Sequence, residues 1–378
     1  MIKILVSGDF CPIGRTEKYL KEKRFQDLFN GFEKITNQVD YSIVNFECPI
    51  TNSDKTIDKT GPCIKTENLN SLKALKFAGF DMLTLANNHI LDYSSSGVLD
   101  TIKYCKAEKF EIIGAGKNIN EASDPVIIEL EGVKIGFLNI AENEFCAATD
   151  NTPGASTFDF VNNSKSIKSL NNQVDKIVLI YHGGREHYQL PTPNQRKRFR
   201  YFIELGVDAI VGHHTHCVGG YEFYKGKPII YSLGNFIFDY KKKYQTGKWT
   251  EGMSVILSLE NKNESFNFKL LPHIQGHIND SSLNILNGND KEHFLKKIND
   301  LSNSITNDEI FFNEWRKYIK TQESYYLSSL YVKNIFLRIL YMKKIFPSFL
   351  LKSNHNKLLL NLIRCESHHE ISKEILKK

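Results

Sequence analysis

The sequence predicts a mixed α/β fold in which two sheets face each other and helices cover their outer surfaces. The first half of the chain alternates strand-like apolar runs with helical patterns, which indicates parallel strands joined by crossover helices. The second half changes to strand pairs separated by short turns, which is typical of antiparallel hairpins. Side chains of the types that bind metals follow several strands, so we expect a functional site at the strand ends.

The parallel part of the fold is predicted from strands and helices that alternate along residues 2–113. Each strand is short and apolar, and each helix is joined to the next strand by a short connection. This rhythm requires parallel pairing, with helices packed on the sheet. The predicted strands are 2–7, 41–46, 82–86 and 111–113, and the predicted helices are 16–35, 69–78 and 96–108.

Residues 126–271 combine further strand–helix units with hairpins. The compact turns Glu131-Gly132-Val133 and Lys225-Gly226-Lys227, together with segment 260–264, each separate two β-rich runs and predict antiparallel pairs. The predicted strands are 126–130, 134–140, 177–181, 209–211, 221–224, 228–232, 253–259 and 266–271, and the predicted helices are 164–172 and 194–205.

The character of the chain changes near residue 280, where Asn, Asp and Ser cluster. We therefore predict a first domain of residues 1–278 and a helical, basic C-terminal region of residues 279–378. The predicted helices of this region are 292–302, 308–322, 325–342, 356–363 and 371–377.

Positive charge is concentrated in that C-terminal region. The chain has a formal net charge of +6, and residues 324–364 contain seven basic residues and no acidic one. This indicates either an anionic partner, such as a phospholipid surface or an acidic polymer, or a solvated helix face. Segment 325–344 is interpreted either as an interfacial amphipathic helix or as a helix that packs on the first domain or on a second subunit. No nucleic-acid-reading motif accompanies the charge, so nucleic acid is not an expected partner. The basic residues are Lys333, Arg338, Lys343, Lys344, Lys352, Lys357 and Arg364.

Cysteine usage and the start of the chain indicate a reducing compartment. The seven cysteines are scattered and lack Cys-x-x-Cys spacing, which argues against a disulfide framework or a zinc knuckle. The first strand begins at Ile2, which leaves no room for a signal peptide, and no run reaches the ~18 to 20 apolar residues of a membrane helix. We expect a cytoplasmic protein and leave open a peripheral contact with the inner membrane surface.

Candidate ligands follow five of the predicted strands. Asp9 follows the first strand, Glu47 the second, Asn87-Asn88-His89 the third, His182 a later one, and the cluster Gly212-His213-His214-Thr215-His216 another. Imidazole is the commonest protein ligand for d-block metals, and a His-x-His pair can direct two rings at one point. Because strand ends of this kind converge in open α/β sheets, the sequence predicts a metal centre there.

In this order, the motifs resemble those of the CapA-type capsule and poly-γ-glutamate biosynthesis family, in the calcineurin-like metallophosphoesterase superfamily. The resemblance covers residues 2–275 and implies a four-layer α/β/β/α sandwich with a metal centre where the two sheets meet, followed by a C-terminal helical extension. The motifs occupy residues 8–9, 45–49, 86–89 with Asp92, 182–186, 212–216 and 231–236.

The resemblance implies oxygen and nitrogen ligands for one or two divalent ions of Mn, Zn, Fe or Mg. Asn88 would coordinate through its amide oxygen, while His89 would stay off the metal as a general acid. Asp92, in the same motif, is expected beside the ligands or the substrate. His213 is an extra imidazole that either supports the ligands or replaces one if the register differs by one. The implied ligands are Asp9, Glu47, Asn88, His182, His214 and His216.

Two positions depart from the superfamily pattern. Cys11 stands where a histidine ligand is expected, and it is either a thiolate ligand or a packed thiol. Glu47 stands where an aspartate bridges the two metals, and Asn45 and Glu186 are candidates to compensate. We therefore expect one fully formed site and one weaker site. The first would use Glu47, Asn88, His182 and His214, and the second Asp9, Glu47 and His216.

Two functions of different classes are consistent with the resemblance. The first is a metal-dependent hydrolase, in particular a phosphoesterase, in capsule or surface-polymer biosynthesis. Here Arg185 would pair with an anionic substrate through its planar guanidinium, and Asn235 would support the ligands or donate from its amide to the substrate. The second is a non-catalytic, metal-containing component that binds an anionic polymer during capsule synthesis or export. Either would act alone, as a homo-oligomer or in contact with a capsule-synthesis complex.

Overall fold

The computed structural model of the protein contains two compact units, Met1–Phe311 and Phe312–Lys378. The predicted division into residues 1–278 and 279–378 stays a prediction. The structure describes residues 1–59, 61–331 and 334–343 and the single positions 345, 359 and 363. Lys333, Lys344, Lys352, Lys357, Arg364 and, apart from positions 359 and 363, the predicted helices 356–363 and 371–377 lie outside the described residues.

The strands form where short apolar runs alternate with turns, as the sequence predicts. In chain order they are β1 (Ile2–Cys11), β2 (Tyr41–Phe46), β3 (Met82–Thr84), β4 (Glu111–Ile113), β5 (Ala115–Gly116), β6 (Val126–Leu130), β7 (Val133–Ala141), β8 (Gly154–Ala155), β9 (Lys176–His182), β10 (Ala209–His213), β11 (Tyr221–Tyr224), β12 (Lys227–Ile230), β13 (Asn235–Phe238), β14 (Glu251–Leu259), β15 (Asn267–Ile274) and β16 (Asn284–Ile285).

Several helices begin at side chains that cap the free backbone N–H groups of the first turn. Asp159 accepts from the Asn162 N–H, and Thr192 accepts from the Gln195 N–H just before a proline at the first helical position. The helices are α1 (Thr16–Lys21), α2 (Phe25–Phe29), α3 (Glu33–Thr36), α4 (Asn70–Phe77), α5 (Ser94–Ala107), α6 (Ile119–Ser123), α7 (Phe160–Asn171), α8 (Pro193–Glu204), α9 (Gly288–Thr306), α10 (Asp308–Tyr331) and α11 (Ile335–Met342), and Lys242–Tyr244 and Gly247–Trp249 are single 3₁₀ turns.

The larger sheet is organised around β1. Residues 2–6 of this strand pair antiparallel with β14, and β2, β3 and β4 continue the sheet in parallel on the other side. The register shifts between Ser7 and Asp9, and residues 9–11 pair in parallel with β13. Such a bulge turns the side chains that follow it, and here it lies immediately before Asp9. The strand order is β16-β15-β14-β1-β2-β3-β4, with β13 beside the end of β1.

The second sheet has the strand order β11-β12-β10-β9-β7-β6. Its four central strands are parallel, and hairpins add β6 and β11 as antiparallel edges. The hairpin turns place Glu131-Gly132 and Lys225-Gly226 at positive φ, which confirms both predicted turns. The predicted pair 253–259 and 266–271 is also antiparallel, as β14 and β15.

Three apolar cores separate four layers, which confirms the predicted α/β/β/α arrangement. Because successive strand residues point to opposite faces, Ile4 and Val6 belong to the core between the sheets, whereas Leu5 belongs to the core under the helices that cover the first sheet. Helices α7 and α8 cover the second sheet and contribute Ile167 and Phe202 to the third core. With helices on both sides, the carboxyl ends of the parallel strands are left as the accessible edge.

The stretch predicted around residues 16–35 is helical, but it is divided into three short helices rather than continuous. Lys23, Asn30 and Gly31 adopt positive φ, and this left-handed backbone divides the segment into α1, α2 and α3. The division allows residues that a straight helix would spread around its surface, such as Leu20 and Phe32, to enter the same core.

The break predicted between helices 308–322 and 325–342 is also misplaced. Helix α10 continues to Tyr331 because residues 320–326 contain no proline or glycine to end it, and α11 begins at Ile335. Within the described part of the chain, no helix combines the length and the apolar character needed to cross a membrane.

His273, on β15, is a buried imidazole whose Nε2–H donates to the Asn235 carbonyl oxygen at 3.0 Å. Burial lowers the pKa of His273 from 6.5 to about 4. Between these two values the unfolded chain binds a proton that the folded protein does not, so the stability present above pH 6.5 is lost as the pH falls.

We predict that His273→Gln makes folding less sensitive to acid. A single depressed histidine contributes at most one proton, or about 1.4 kcal/mol per pH unit, to the slope of the free energy of unfolding. Urea unfolding at about pH 7.5 and about pH 5 should show a smaller loss for the variant than for the wild type. The exposed His293, changed to Gln, is the control and should behave like the wild type. Equal losses in all three proteins would contradict the prediction.

Candidate metal centre

The predicted ligands come from both sheets and meet at the carboxyl ends of their strands. Asp9 lies on β1, and Glu47 directly follows β2, at the end of the first sheet. His182 ends β9, and His214 and His216 follow β10, at the end of the second sheet. All five side chains are buried. The convergence expected from the sequence is therefore present in the structure.

Glu47, Asn88, His182 and His214 form the tighter of two ligand groups. The Nε2 atom of His182 lies 3.4 Å from Glu47 Oε1, 3.2 Å from His214 Nδ1 and 3.0 Å from Asn88 Oδ1. Ligand atoms bound to one divalent ion at about 2.0–2.2 Å lie roughly 3 to 3.5 Å from each other. The spacing of these four side chains therefore suits a metal ion, in the set expected for the fully formed site.

Asp9, Glu47 and His216 form a second, wider group. His216 Nδ1 lies 3.8 Å from Asp9 Oδ2, and its Nε2 lies 3.7 Å from Glu47 Oε1. Glu47 belongs to both groups, which is the position of a bridging carboxylate. That this group is the weaker of the two sites stays a prediction.

The Glu47 carboxylate provides the test of whether these residues fit a metal ion. It is fully buried, and neither of its oxygens has a hydrogen-bond partner among the described residues. Burial raises the pKa of Glu47 well above its ordinary value, and the nearby Asp9 carboxylate raises it further. A buried carboxylate without partners is unfavourable, and a cation between the two groups removes that cost. The donor set therefore fits a divalent ion.

Two of the ligand histidines, His182 and His216, are held in the neutral form that binds metals. Burial lowers the pKa values of His182 and His216 well below the ordinary value, and the neighbouring imidazoles lower them further. A neutral ring offers a nitrogen lone pair at neutral pH, which a charged ring does not.

An unusual backbone directs the two terminal histidine rings. His214 and His216 both adopt positive φ, at 89° and 52°, which is uncommon for residues other than glycine. The His214 N–H donates to Asp9 Oδ2 at 3.1 Å, and Thr215 Oγ1 lies 2.9 Å from Ser232 Oγ. These contacts hold a strained segment whose rings face the first sheet, as is typical of functional sites.

Asn235 fixes the orientation of the His216 ring. Its Nδ2–H donates to the Trp249 carbonyl oxygen, so Oδ1 faces His216 Nδ1 at 2.9 Å and accepts its proton. The Nε2 lone pair of His216 is then directed away from Asn235 and toward Glu47. Of the two roles predicted for Asn235, the structure favours support of a ligand over donation to a substrate.

Asn45 supports the ligands from the first sheet. Its Nδ2–H donates to Asp9 Oδ1 at 2.8 Å, and the same nitrogen lies 3.2 Å from His182 Nδ1. Thr84 Oγ1 donates to Asn45 Oδ1 at 3.2 Å and holds the amide in this orientation. Asn45 therefore connects the two sheets at the ligand groups.

His89 lies beside the ligands and belongs to neither group. Its Nδ1 is 2.6 Å from Asp92 Oδ2, and the Lys59 ammonium bonds Asp92 Oδ1 and lies 3.4 Å from His89 Nδ1. Asp92 is therefore a hydrogen-bond partner of His89. This position is compatible with its predicted place beside the ligands or the substrate. Lys59 was not among the predicted residues, because it lies on a segment without regular structure and its sequence neighbours carry no motif.

Four further predicted residues lie at the edge of the site or outside it. His213 turns away from both ligand groups, with its Nε2 3.1 Å from the Ser7 carbonyl oxygen, so it is not the substitute ligand. Arg185 is half-buried in the segment between β9 and α8, and Glu186 is exposed. Cys11 is a buried thiol in the core of the first sheet, and burial raises its pKa well above the ordinary value, which fits the packed-thiol interpretation.

A cavity of about 240 Å³ opens beside the ligands. The Trp249 ring packs on His216 with 4.4 Å between ring centroids, and Tyr244 packs on Trp249 at 4.6 Å. This aromatic wall was not predicted, since nothing in the local pattern of residues 240–249 indicates a site. The cavity is lined by Lys59, Asn88, His89, Glu186, His216 and Trp249, among others.

Residues 3–240 match the family described as bacterial capsule synthesis protein PGA_cap. The chain belongs to this family. The match spans β1 to β13, so it includes every strand end that contributes to the two ligand groups.

Two relatives in this family are named for capsule or PGA synthesis. The chain is 34% identical over 236 residues to the PGA biosynthesis protein CapA of Bacillus subtilis (strain 168), covering 61% of this chain and 62% of that protein. It is 35% identical over 244 residues to the capsule biosynthesis protein CapA of Bacillus anthracis, covering 61% and 58%. The chain therefore spans about three fifths of the length of these relatives.

Solved structures resemble the chain more distantly. A hypothetical protein from Thermus thermophilus covers 72% of this chain and 98% of its own, with a TM-score of 0.46 and 13% identity. A 5′-nucleotidase precursor from the same organism covers 75% of this chain and 54% of its own, with a TM-score of 0.44 and 11% identity.

We predict that His214→Asn lowers the amount of bound transition metal and that His213→Asn does not. His214 faces Glu47 and His182, whereas the neighbouring His213 bonds a backbone carbonyl of the other sheet. Elemental analysis of both variants, purified without chelators, measures the difference, and circular dichroism confirms that each is folded. If the His213 variant loses metal and the folded His214 variant keeps it, His213 is the ligand instead of His214, and the assignment of the motif is wrong by one residue.

Proposed function

We propose that this protein is a metal-dependent hydrolase of phosphoesters that acts in the synthesis of capsule or of a poly-γ-glutamate-type surface polymer. The observation that carries the proposal is the buried Glu47 carboxylate, which lacks hydrogen-bond partners among the described residues and belongs to two groups of metal-ligand side chains. The family match and the names of its relatives support the biosynthetic setting.

The ion would be held by the tighter group, with the wider group available to a second ion. A bound divalent ion supplies Lewis-acid charge to a phosphoryl group and lowers the pKa of coordinated water. Glu47, Asn88, His182 and His214 would fix the position of the first ion, and Asp9 with His216 would add to Glu47 for the second. Asn45 and Asn235 keep those ligands in place through the hydrogen bonds described above.

His89 is positioned to exchange a proton with the substrate. Asp92 is bonded to the Lys59 ammonium and accepts from the Ile64 N–H, so it acts as an acceptor and His89 Nδ1–H donates to it. The other ring nitrogen of His89, Nε2, is then the one available in the cavity that His89 lines. We assign His89 as the general acid that protonates the leaving oxygen, and Arg185 as a group that pairs with the anionic substrate.

A second candidate function is a non-catalytic component that binds an anionic polymer during capsule synthesis or export. The segment that forms one wall of the cavity favours it, because Lys241, Lys242, Lys243 and Lys248 are all exposed there. Closely spaced lysines of this kind attract a polyanion whether or not the site turns it over.

We predict that the metal-loaded protein hydrolyses phosphoesters and that His89→Asn lowers kcat about 100-fold or more while bound metal stays unchanged. Turnover of a panel of phosphomonoesters and phosphodiesters with added Mn, Zn or Mg is the measurement, together with elemental analysis. The exposed His293 on α9, changed to Asn, is the matched control and should keep full turnover.

The same panel separates the two candidate functions. Turnover that the His89 variant retains in full would contradict the assignment of the general acid. A folded, metal-loaded protein that hydrolyses none of the esters and still retains poly-γ-glutamate would favour the binding component.

A further inference from the structure

We propose that Lys59 binds an oxyanion of the ligand in the cavity beside the metal groups. The identity of that oxyanion, a phosphoryl oxygen of an ester, rests on the proposed function. The cationic site itself stands on the geometry of Lys59, which neither the ligand groups nor the sequence motifs include.

Lys59 is a buried cation at the wall of the cavity. Its side chain is only 5% exposed, although it lies on an irregular segment between β2 and α4. It lines the cavity together with Asn88 and His89, one a member of the tighter ligand group and the other the assigned general acid. Burying an ammonium group is unfavourable unless charges or hydrogen bonds compensate, so its place requires an explanation.

Asp92 holds the segment that carries Lys59. The Ile57 N–H donates to the Asp92 backbone oxygen at 3.1 Å, and the Ile64 N–H donates to Asp92 Oδ2 at 2.8 Å. The Lys59 ammonium bonds the other oxygen, Oδ1. These three bonds fasten the segment on both sides of Lys59 and fix its ammonium at the cavity.

The hydrogen bonds made by Lys59 leave donors for a ligand. An ammonium group has three N–H donors and no acceptor. Among the described residues, its neighbours within hydrogen-bond distance are Asp92 Oδ1 and His89 Nδ1. Because His89 Nδ1–H donates to Asp92, that nitrogen does not accept from Lys59. Two N–H groups of Lys59 therefore have no partner within the described part of the chain and are available to an acceptor in the cavity.

The charge balance around Lys59 also favours an anion. Asp92 Oδ2 is shared by the His89 ring and the Ile64 N–H, so this single carboxylate serves three neighbours. The acidic groups that line the cavity, Glu144 and Glu186, are exposed, whereas the Lys59 ammonium is shielded from water. An anion beside a shielded cation is bound more strongly than one beside a solvated charge.

Lys65, on the same segment, is a lysine whose ammonium group bonds only protein groups among the described residues. Its ammonium bonds the Ser53 carbonyl oxygen and pairs with Asp54 at 3.0 Å and with Glu67 at 2.8 Å. Its three donors are therefore used, and it does not line the cavity. Lys65 is a matched control because it has the same charge as Lys59 and similar burial, while all three of its N–H donors already have acceptors.

The test measures binding of inorganic phosphate and of glutarate to the metal-loaded protein by isothermal titration calorimetry. Lys59→Met, which keeps the length of the side chain and removes the charge, should weaken phosphate binding at least tenfold. Lys59→Arg should retain most of the affinity, and Lys65→Met should bind within twofold of the wild type. Thermal unfolding and elemental analysis establish that each variant is folded and loaded with metal.

The outcomes separate this inference from the proposed function. Equal phosphate affinity in the wild type and a folded Lys59→Met variant, or no anion binding by the wild type, overturns the inference. Phosphoester turnover with an unchanged KM in Lys59→Met overturns it as well and leaves the proposed function standing. Lys59-dependent binding of glutarate tighter than that of phosphate, with no ester turnover, supports the oxyanion site and contradicts the phosphoesterase.

Discussion

The buried carboxylate of Glu47 is the constraint around which the site is organised. It comes from the end of β2, it has no hydrogen-bond partner among the described residues, and histidine nitrogens from the other sheet lie within 3.4 to 3.7 Å of it. Burial raises its pKa, so the folded chain alone does not favour its charged form. Charge compensation by a cation would stabilise this arrangement and would link folding of the two sheets to metal binding.

The remaining parts of the site hold the rings that face Glu47. The bulge before Asp9, the positive φ at His214 and His216, and the amide of Asn235 all direct polar atoms to the place where the sheets meet. Hydrogen bonds from other parts of the chain hold them: Asn45 bonds Asp9, Asp9 accepts from the His214 N–H, and the Trp249 carbonyl accepts from Asn235. The ligands lie on strands or in the segments that follow them, while irregular segments farther along the chain carry Lys59, Tyr244 and Trp249, which line the cavity.

The predictable parts of this protein are those marked by a short local pattern in the sequence. Strands with apolar runs, hairpins with glycine turns, and polar residues directly after strands reveal both sheets and candidate ligands at their ends. The division of those ligands into two groups was implied by the resemblance to the CapA-type family. Lys59 and Trp249 were not predictable, because long-range contacts bring them to the cavity and their own segments have no regular pattern. The three-part division of residues 16–35 was missed for a related reason, since left-handed Lys23 and Asn30 satisfy tertiary packing at a local cost.

Residues distant in the sequence are proposed to surround a divalent ion at Glu47. The most direct measurement is a crystal structure of the protein purified without chelators, with anomalous data collected on both sides of a transition-metal absorption edge. We expect an anomalous peak bounded by Glu47, Asn88, His182 and His214, with a second, weaker peak toward Asp9 and His216. Well-ordered side chains with no peak between them, or a peak at another place in the protein, would contradict it.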